Sequence, residues 1–322
     1  MGSMPAVPAG DARDAWPELP YAAWKDTCAT LHLWTQIVGK IRLVRTPWVN
    51  HSWHATFYVT ARGLTTSPIP YGRRVFEINF DFIDHALVIL DSDGAIRRMP
   101  LVPRPVADFH DAVLSALAEL GLPVDINGTP NEIPEVVPFR EDRVHAAYDP
   151  EYAQRFWRVL VQADRVLKQF RTGYLGKVSP VHLFWGGLDL AVTRFSGRRA
   201  PLHPGGIPHL PDPITREAYS HEVSSAGFWP GGGPIDYPSF YSYAYPTPAG
   251  YRAAAVRPDA AFFHEGLGEF ILPYDAVRTA GAPDKALLAF LQSTFDAAAE
   301  TGGWDRAALE CEPGEPLVVR PV

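Results

Sequence analysis

Strict two-residue alternation is the feature that most limits how this chain can fold. Phe76, Ile78, Phe80 and Phe82 alternate with Glu77, Asn79 and Asp81. Successive side chains of a strand point to opposite faces, so this segment is a strand with one apolar and one polar face. Sheets that alternate in this way are antiparallel, and the apolar face has to be covered by another layer. Trp53, Ala55, Phe57 and Val59 alternate with His54, Thr56, Tyr58 and Thr60, which predicts a second strand of the same kind. Ala86 to Leu90 is a third, turning through Asp91-Ser92-Asp93-Gly94 into a fourth near Ile96.

Helical spacing supplies the covering layers. Leu31, Trp34, Val38 and Ile41 recur on one face of a helix expected from Tyr21 to about Arg45, closed by Pro47. A second helix is expected from Asp108 to Leu120, stopped by Gly121 and Pro123. After a Pro-containing connection over residues 122–149, Asp149-Pro150 is a cap and first-turn pair for a third helix, which carries Phe156, Leu160, Leu167 and Phe170. A long strand over 181–195 follows, with its Gly186-Gly187 read as a bulge, then strands over 219–228, 240–245 and 262–272. A last helix starts near Asp284.

The element order therefore repeats. Gln36, Arg45 and Thr46 match Gln162, Arg171 and Thr172 at one constant offset, which suggests an internal duplication. The expected fold is α+β: two helix–antiparallel-sheet–helix halves packed around a pseudo-twofold axis as one body. Residues 1–18 are read as a tag remnant and flexible N-terminus, 19–135 as the first half, and 136–322 as the second half with long Pro/Gly loops.

Composition narrows the function classes. With 36 acidic and 29 basic residues in 322, and no long run of either sign, the chain lacks the basic footprint of a nucleic-acid binder. No apolar stretch reaches the roughly 20 residues a membrane helix needs. Two cysteines far apart in sequence, Cys28 and Cys311, point to a reducing cytoplasm. There is no phosphate-binding GxxxxGK[ST] loop, GxGxxG turn, GxSxG elbow or CxxC pair. What is left is a cytoplasmic protein with a small-molecule substrate or ligand.

Candidate site residues come from polar groups set in apolar strands, where burial without a partner costs a few kcal/mol, about the worth of a strong interaction. The central segment Ser179–Gly197 places His182, Asp189 and Arg194 among Leu, Phe, Trp and Val. His221, beside Glu222, and the carboxylates Glu265 and Glu269 of FFHEGLGEF come from later strands. His182, His221 and Glu269 or Glu265 make a two-histidine, one-carboxylate set suited to a divalent metal such as Fe, Mn, Zn or Cu, activating oxygen or acting as a Lewis acid. His54, in line with Thr56 and Tyr58, is the candidate of the first half; Arg194 would anchor an acidic substrate group, with Asp189 and Tyr58 beside it. His32 is read as a helix-packing residue. The aromatic run Phe240–Tyr245 could line a cavity, and the loops at 198–213 and 229–239 would cover it. The alternative expectation is a binding protein without catalysis, holding an apolar molecule in an aromatic-lined cavity.

The segments LHLWTQIVGKIRL, YVTARGLTTSPIPYG, FEINFDFIDH, FWRVLVQADRVL, SPVHLFWGGLDLAVTRFSGR, TREAYSHEV, SAGFWPGG and LGEFILPYDAVR resemble a bacterial family, largely actinobacterial, classed as a domain of unknown function. The resemblance runs from about Leu19 to Glu310 and implies one family-wide unit of this length. It carries no activity, cofactor or site residue.

Overall fold

In the computed structural model, which describes residues 15–133 and 135–320, the first half opens with helix α1, Tyr21–Arg45. Its apolar stripe is fully buried at Leu31, Trp34, Val38 and Ile41, and Arg42 and Arg45 sit in the last turn, where they suit the helix dipole. Trp34 stacks at 4.5 Å on Phe109 of α2, Val106–Glu119. Between the two helices in sequence lie β1 (Tyr58–Val59), β2 (Gly63–Thr65), β3 (Ile69–Tyr71), β4 (Arg74–Asp81), β5 (Ala86–Asp91) and β6 (Ile96–Pro100). They form one antiparallel sheet in the order β1-β2-β4-β5-β6, with β3 also on β4. The alternation in β4 is realised: Phe76, Ile78 and Phe80 are buried, while Glu77 and Asn79 are half-exposed.

The strand expected over 53–60 shrinks to Tyr58–Val59. Asn50–Ala55 is instead a 3-10 segment in which His51 (φ 61°) and Ser52 (φ 57°) are left-handed. Tertiary anchoring overrides the local pattern here. The Glu217 carboxylate accepts the His51 backbone N–H at 2.8 Å, and the His51 ring bonds the Ala218 carbonyl at 2.8 Å.

The second half starts with α3, Pro150–Thr172, whose cap residue Asp149 accepts from the N–H groups of Glu151 and Tyr152. Its strands are β7 (His182–Phe184), β8 (Asp189–Arg199), β9 (His221–Trp229), β10 (Ser239–Tyr245), β11 (Phe262–His264) and β12 (Glu269–Pro273). They pair antiparallel in the order β11-β12-β10-β9-β8-β7. Helix α4, Asp212–Ala218, precedes β9; α5, Tyr274–Arg278, α6, Pro283–Thr301, and α7, Arg306–Leu309, complete the half. Two expected strands are hairpins: 181–195 folds back so that His182 lies opposite Ala191, and 262–272 turns between His264 and Glu269. Gly186-Gly187 thus belongs to a reversal of the chain, not to a bulge.

Both halves place a six-stranded antiparallel sheet between a first and a last long helix, but the strand orders differ. The sheets join edge to edge through Phe57 and Leu183, whose backbones exchange bonds of 2.9 and 2.8 Å. A single apolar cluster contains residues from both halves, among them Trp34, Phe80, Phe156, Leu190 and Phe295. One face of the second sheet, with Leu190, Val192, Phe228, Phe240 and Leu272, is buried in that cluster. Its opposite face carries the site. Among the described residues no helix is long and apolar enough to cross a membrane.

Candidate active site

Residues two apart on a strand share a face, and directly opposed residues of neighbouring strands share it too. The second sheet therefore presents Asp189, Ala191 and Thr193 of β8, Ser225 and Gly227 of β9, Tyr241 and Tyr243 of β10, and Glu269 of β12 on one surface. That surface forms the floor of a cavity of about 510 Å³, inside the range of roughly 300–1,000 Å³ typical of small-molecule sites. Trp48, His51, Ser52 and Trp53 of the first half, the Phe184–Gly187 reversal, and residues of the 207–219 segment supply further walls.

Gly227 makes the floor possible. A Cβ there would stand 2.1 Å from the Leu190 carbonyl and 2.6 Å from the Tyr241 hydroxyl. The bare backbone of β9 lets the Tyr241 ring cross it, so that the phenol donates a hydrogen bond to Asp189 two strands away. Beside this pair a second chain of hydroxyls runs from Tyr219 to Tyr243 at 2.9 Å and from Ser225 to Thr193 at 2.8 Å.

A third carboxylate enters from outside regular structure. Glu132, in the long connection between the halves, is left-handed (φ 61°), an uncommon and strained conformation for a residue with a side chain. It is held there from α1, where His32, Gln36 and Lys40 succeed one another at i, i+4 and i+8 on one face. Gln36 exchanges bonds of 2.8 and 2.9 Å with the Asn131 backbone, and the Lys40 ammonium donates to the Asn131 side chain. His32 bonds the carbonyls of Trp185 and Gly186 at 3.0 and 2.8 Å, fixing the reversal beneath Glu132. The Glu132 N–H is taken by Pro208 at 2.9 Å, tying the same residue to the covering segment. A Cβ on Gly186 would overlap the Glu132 carboxylate, and one on Gly187 would lie 3.0 Å from Asp189 Oδ1 and 3.9 Å from Glu132 Oε2. The glycine pair is thus the space in which two carboxylates approach each other.

Electrostatics follow from this crowding. Burial pushes Glu132 up to about 7, with the Asp189 charge adding to the effect. Glu269 rises to about 7 for the same two reasons in the same order. Burial raises Asp189 to about 6 against the lowering effect of its Tyr241 bond. The Glu132 side chain lines the cavity and is solvent-accessible. No lysine or arginine is among the described residues that line it.

Of the residues singled out from the sequence, Asp189 and Glu269 stand in the cavity and the other six do not. His182 is 1% exposed; its Nδ1 pairs with Thr56 at 3.2 Å, and burial followed by the nearby Arg42 and Arg171 charges lowers it to about 3. His221 lies at the far end of β9: His182 is level with Ala191 and hence Gly227, six residues from His221, or roughly 20 Å along a strand. Glu265 is in the β11–β12 turn, paired outward with Arg252 at 3.4 Å. His54 is buried under Trp48 and bonded to Val49. The metal-ligand set expected from the sequence is therefore not brought together, and among the described residues no group of three or more His, Cys, Asp or Glu is arranged to hold a metal ion. Arg194 is not an anchor in the cavity. It points to the opposite face of the sheet, 3.5 Å from the Phe170 ring centroid and 4.3 Å from that of Phe295, and burial brings it down to about 10. Tyr58 sits beside Arg42 and His182, outside the cavity lining.

Glu132 carried no signal in the sequence, because an isolated carboxylate in a Pro-containing connection belongs to no periodic pattern. The Gly186-Gly187 pair was the available pointer, since adjacent glycines mark a place where another group comes close to the backbone.

The family model that matches the chain covers residues 16–311, with only short segments outside it. The chain belongs to a family of unknown function, DUF5996. No curated protein and no solved structure matches it.

Proposed function

We propose that this protein is an enzyme that moves protons on a small molecule held in the cavity, with Glu132, Asp189 and Glu269 as its acid and base groups. The observation that carries this reading is the convergence of three carboxylates, from a clamped loop and two strands, on one cavity. General acid–base groups work best when their pKa lies near the operating pH, and burial has moved both glutamates to about 7. Carboxyls at that pKa exchange protons in either direction near neutrality. Asp189, held by Tyr241, is the fixed member of the three; Glu132 and Glu269 face the open volume. The apolar walls, including Trp53, Trp185 and Trp229, lower the local polarity and so strengthen electrostatic contacts inside. Two free cysteines support a reducing, cytoplasmic place of work.

The second reading, a non-catalytic binding protein, is favoured by the aromatic share of the walls. One experiment separates the two. Purified protein is incubated with a cell metabolite extract in D₂O and the mixture is followed by mass spectrometry. A compound that is converted or gains deuterium with the native chain, but not with Glu132→Gln or Glu269→Gln, supports the enzyme. A compound that the native chain retains unchanged and unlabelled supports the binder and overturns the enzyme.

A further inference from the structure

We propose that the molecule this cavity takes is an organic cation, a protonated amine or quaternary ammonium group on an apolar body. This rests on the reading of the cavity as a small-molecule site and adds the chemical class of the ligand.

Charge and hydrogen bonds are left unmatched around the cavity of about 510 Å³. Glu132 comes from the connection, Asp189 from β8 and Glu269 from β12, and all three line the same volume. The other ionisable groups around it are Tyr219, Tyr241, Tyr243 and His51. Tyrosine neutralises no carboxylate. Burial lowers His51, and its ring is engaged on both sides, by the Ala218 carbonyl at 2.8 Å and by the Lys177 ammonium at 2.5 Å. Lys40 is directed to Asn131 and lies 5.7 Å from the Trp185 ring centroid, outside the lining. Among the described residues that line the cavity, the three carboxylates therefore have no lysine or arginine to pair with, and charges removed from water are found paired or ligated.

A second observation is independent of charge. Thr215, 2% exposed, and Ser52 both line the cavity, and neither hydroxyl has a hydrogen-bond partner. Buried hydroxyls left without a partner call for one, and an ordered water or the polar end of a ligand would supply it. The walls then select the body of that ligand. Trp53, Trp185 and Trp229 line the cavity, and indole rings attract a desolvated cation and bury hydrocarbon at the same time. Once the three carboxyls have lost their protons, above pH 7, an anionic molecule meets like charge from all of them and a neutral one leaves that charge uncompensated.

The test is isothermal titration with matched probes: a panel of aryl- and alkyl-ammonium ions, together with the alcohol and the carboxylate of each skeleton. At pH 8 at least one ammonium ion is expected to bind about tenfold or more tighter than its alcohol. Its affinity should rise between pH 6 and pH 8, with proton release, by up to about tenfold per pH unit for each proton displaced. The preference for the cation should fall by a similar factor in both Glu132→Gln and Glu269→Gln. Alcohols binding as well as ammonium ions would overturn the cationic class while leaving the small-molecule site intact. Failure of every probe, charged or neutral, would overturn both. Ammonium binding unchanged in the two variants would place the cation elsewhere and overturn the assignment to this cavity.

Discussion

Replacing Glu269 by glutamine should make the ligand-free protein more stable, and only at high pH. Glu269 holds its proton up to about 7 in the folded chain against an ordinary value of 4.5. The folded state binds that proton more tightly than the unfolded state, so the residue's contribution is fully present below pH 4.5 and is lost as pH rises through 7. A gap of this size corresponds to about 3 kcal/mol. Glutamine keeps the shape of the carboxyl and never ionises, so Glu269→Gln avoids the loss. At pH 8.5 the variant should exceed the native chain by up to about 3 kcal/mol, whereas at pH 5 the two should agree to within about 1 kcal/mol. With about 2 cal/mol/K of unfolding entropy per residue, 3 kcal/mol in a chain of this length is roughly 4 °C in Tm. Calorimetry and urea unfolding followed by tryptophan fluorescence, at both pH values, would measure it. Parallel pH profiles for the two proteins, or a variant less stable at pH 8.5, would refute the argument that uncompensated charge is stored in the cavity.

Two further outcomes follow from the packing of the second sheet. Arg194→Met should leave ligand binding unchanged and stability equal or higher by about 1–4 kcal/mol, because the guanidinium is 1% exposed with Nε and Nη1 unpartnered; loss of binding in calorimetric titration would return Arg194 to the site. Gly227→Ala should cost about 1–3 kcal/mol or more, since the new Cβ meets the Leu190 carbonyl and the Tyr241 hydroxyl, and a urea midpoint within error of the native one would show that Tyr241 does not need that path.

Regular structure was legible wherever one residue type repeats at one period. Helix α1 runs over the expected Tyr21–Arg45, and the Asp149-Pro150 pair opens α3 where a cap and first turn were read. The β4 alternation likewise survives folding. The misses share a cause. At 53–60, 181–195 and 262–272 the apolar pattern continues through residues that leave the strand: distant contacts, Glu217 with His51 and His32 with Gly186, set the first two departures, and the Leu267 and Gly268 N–H groups donating to His264 set the third. Periodicity carries no record of those. The same holds for the site. Asp189 and Glu269 stood out as carboxylates in apolar strands, whereas His182 stood out for the same reason and proved to be a core residue bonded to Thr56. A buried polar group looks alike in sequence whether it faces a cavity or a neighbour: pairing sets His182 opposite Ala191, on the cavity's side of the sheet, and only the Thr56 and Trp53 side chains packed over it separate it from the site.

The clamp on Glu132 also bears on the order in which the chain becomes whole. Its grip depends on Gln36 reaching Asn131 across 95 positions and on Asn131 reaching His209 across 78. Contacts at such separation are formed late, because closing long loops costs entropy before it is rewarded. Until they close, Asp189 and Glu269 sit on a sheet that lacks their third neighbour. The third carboxylate therefore joins the other two only where α1, the connection and the covering segment meet, so the crowding of charge belongs to the assembled chain and to neither half alone.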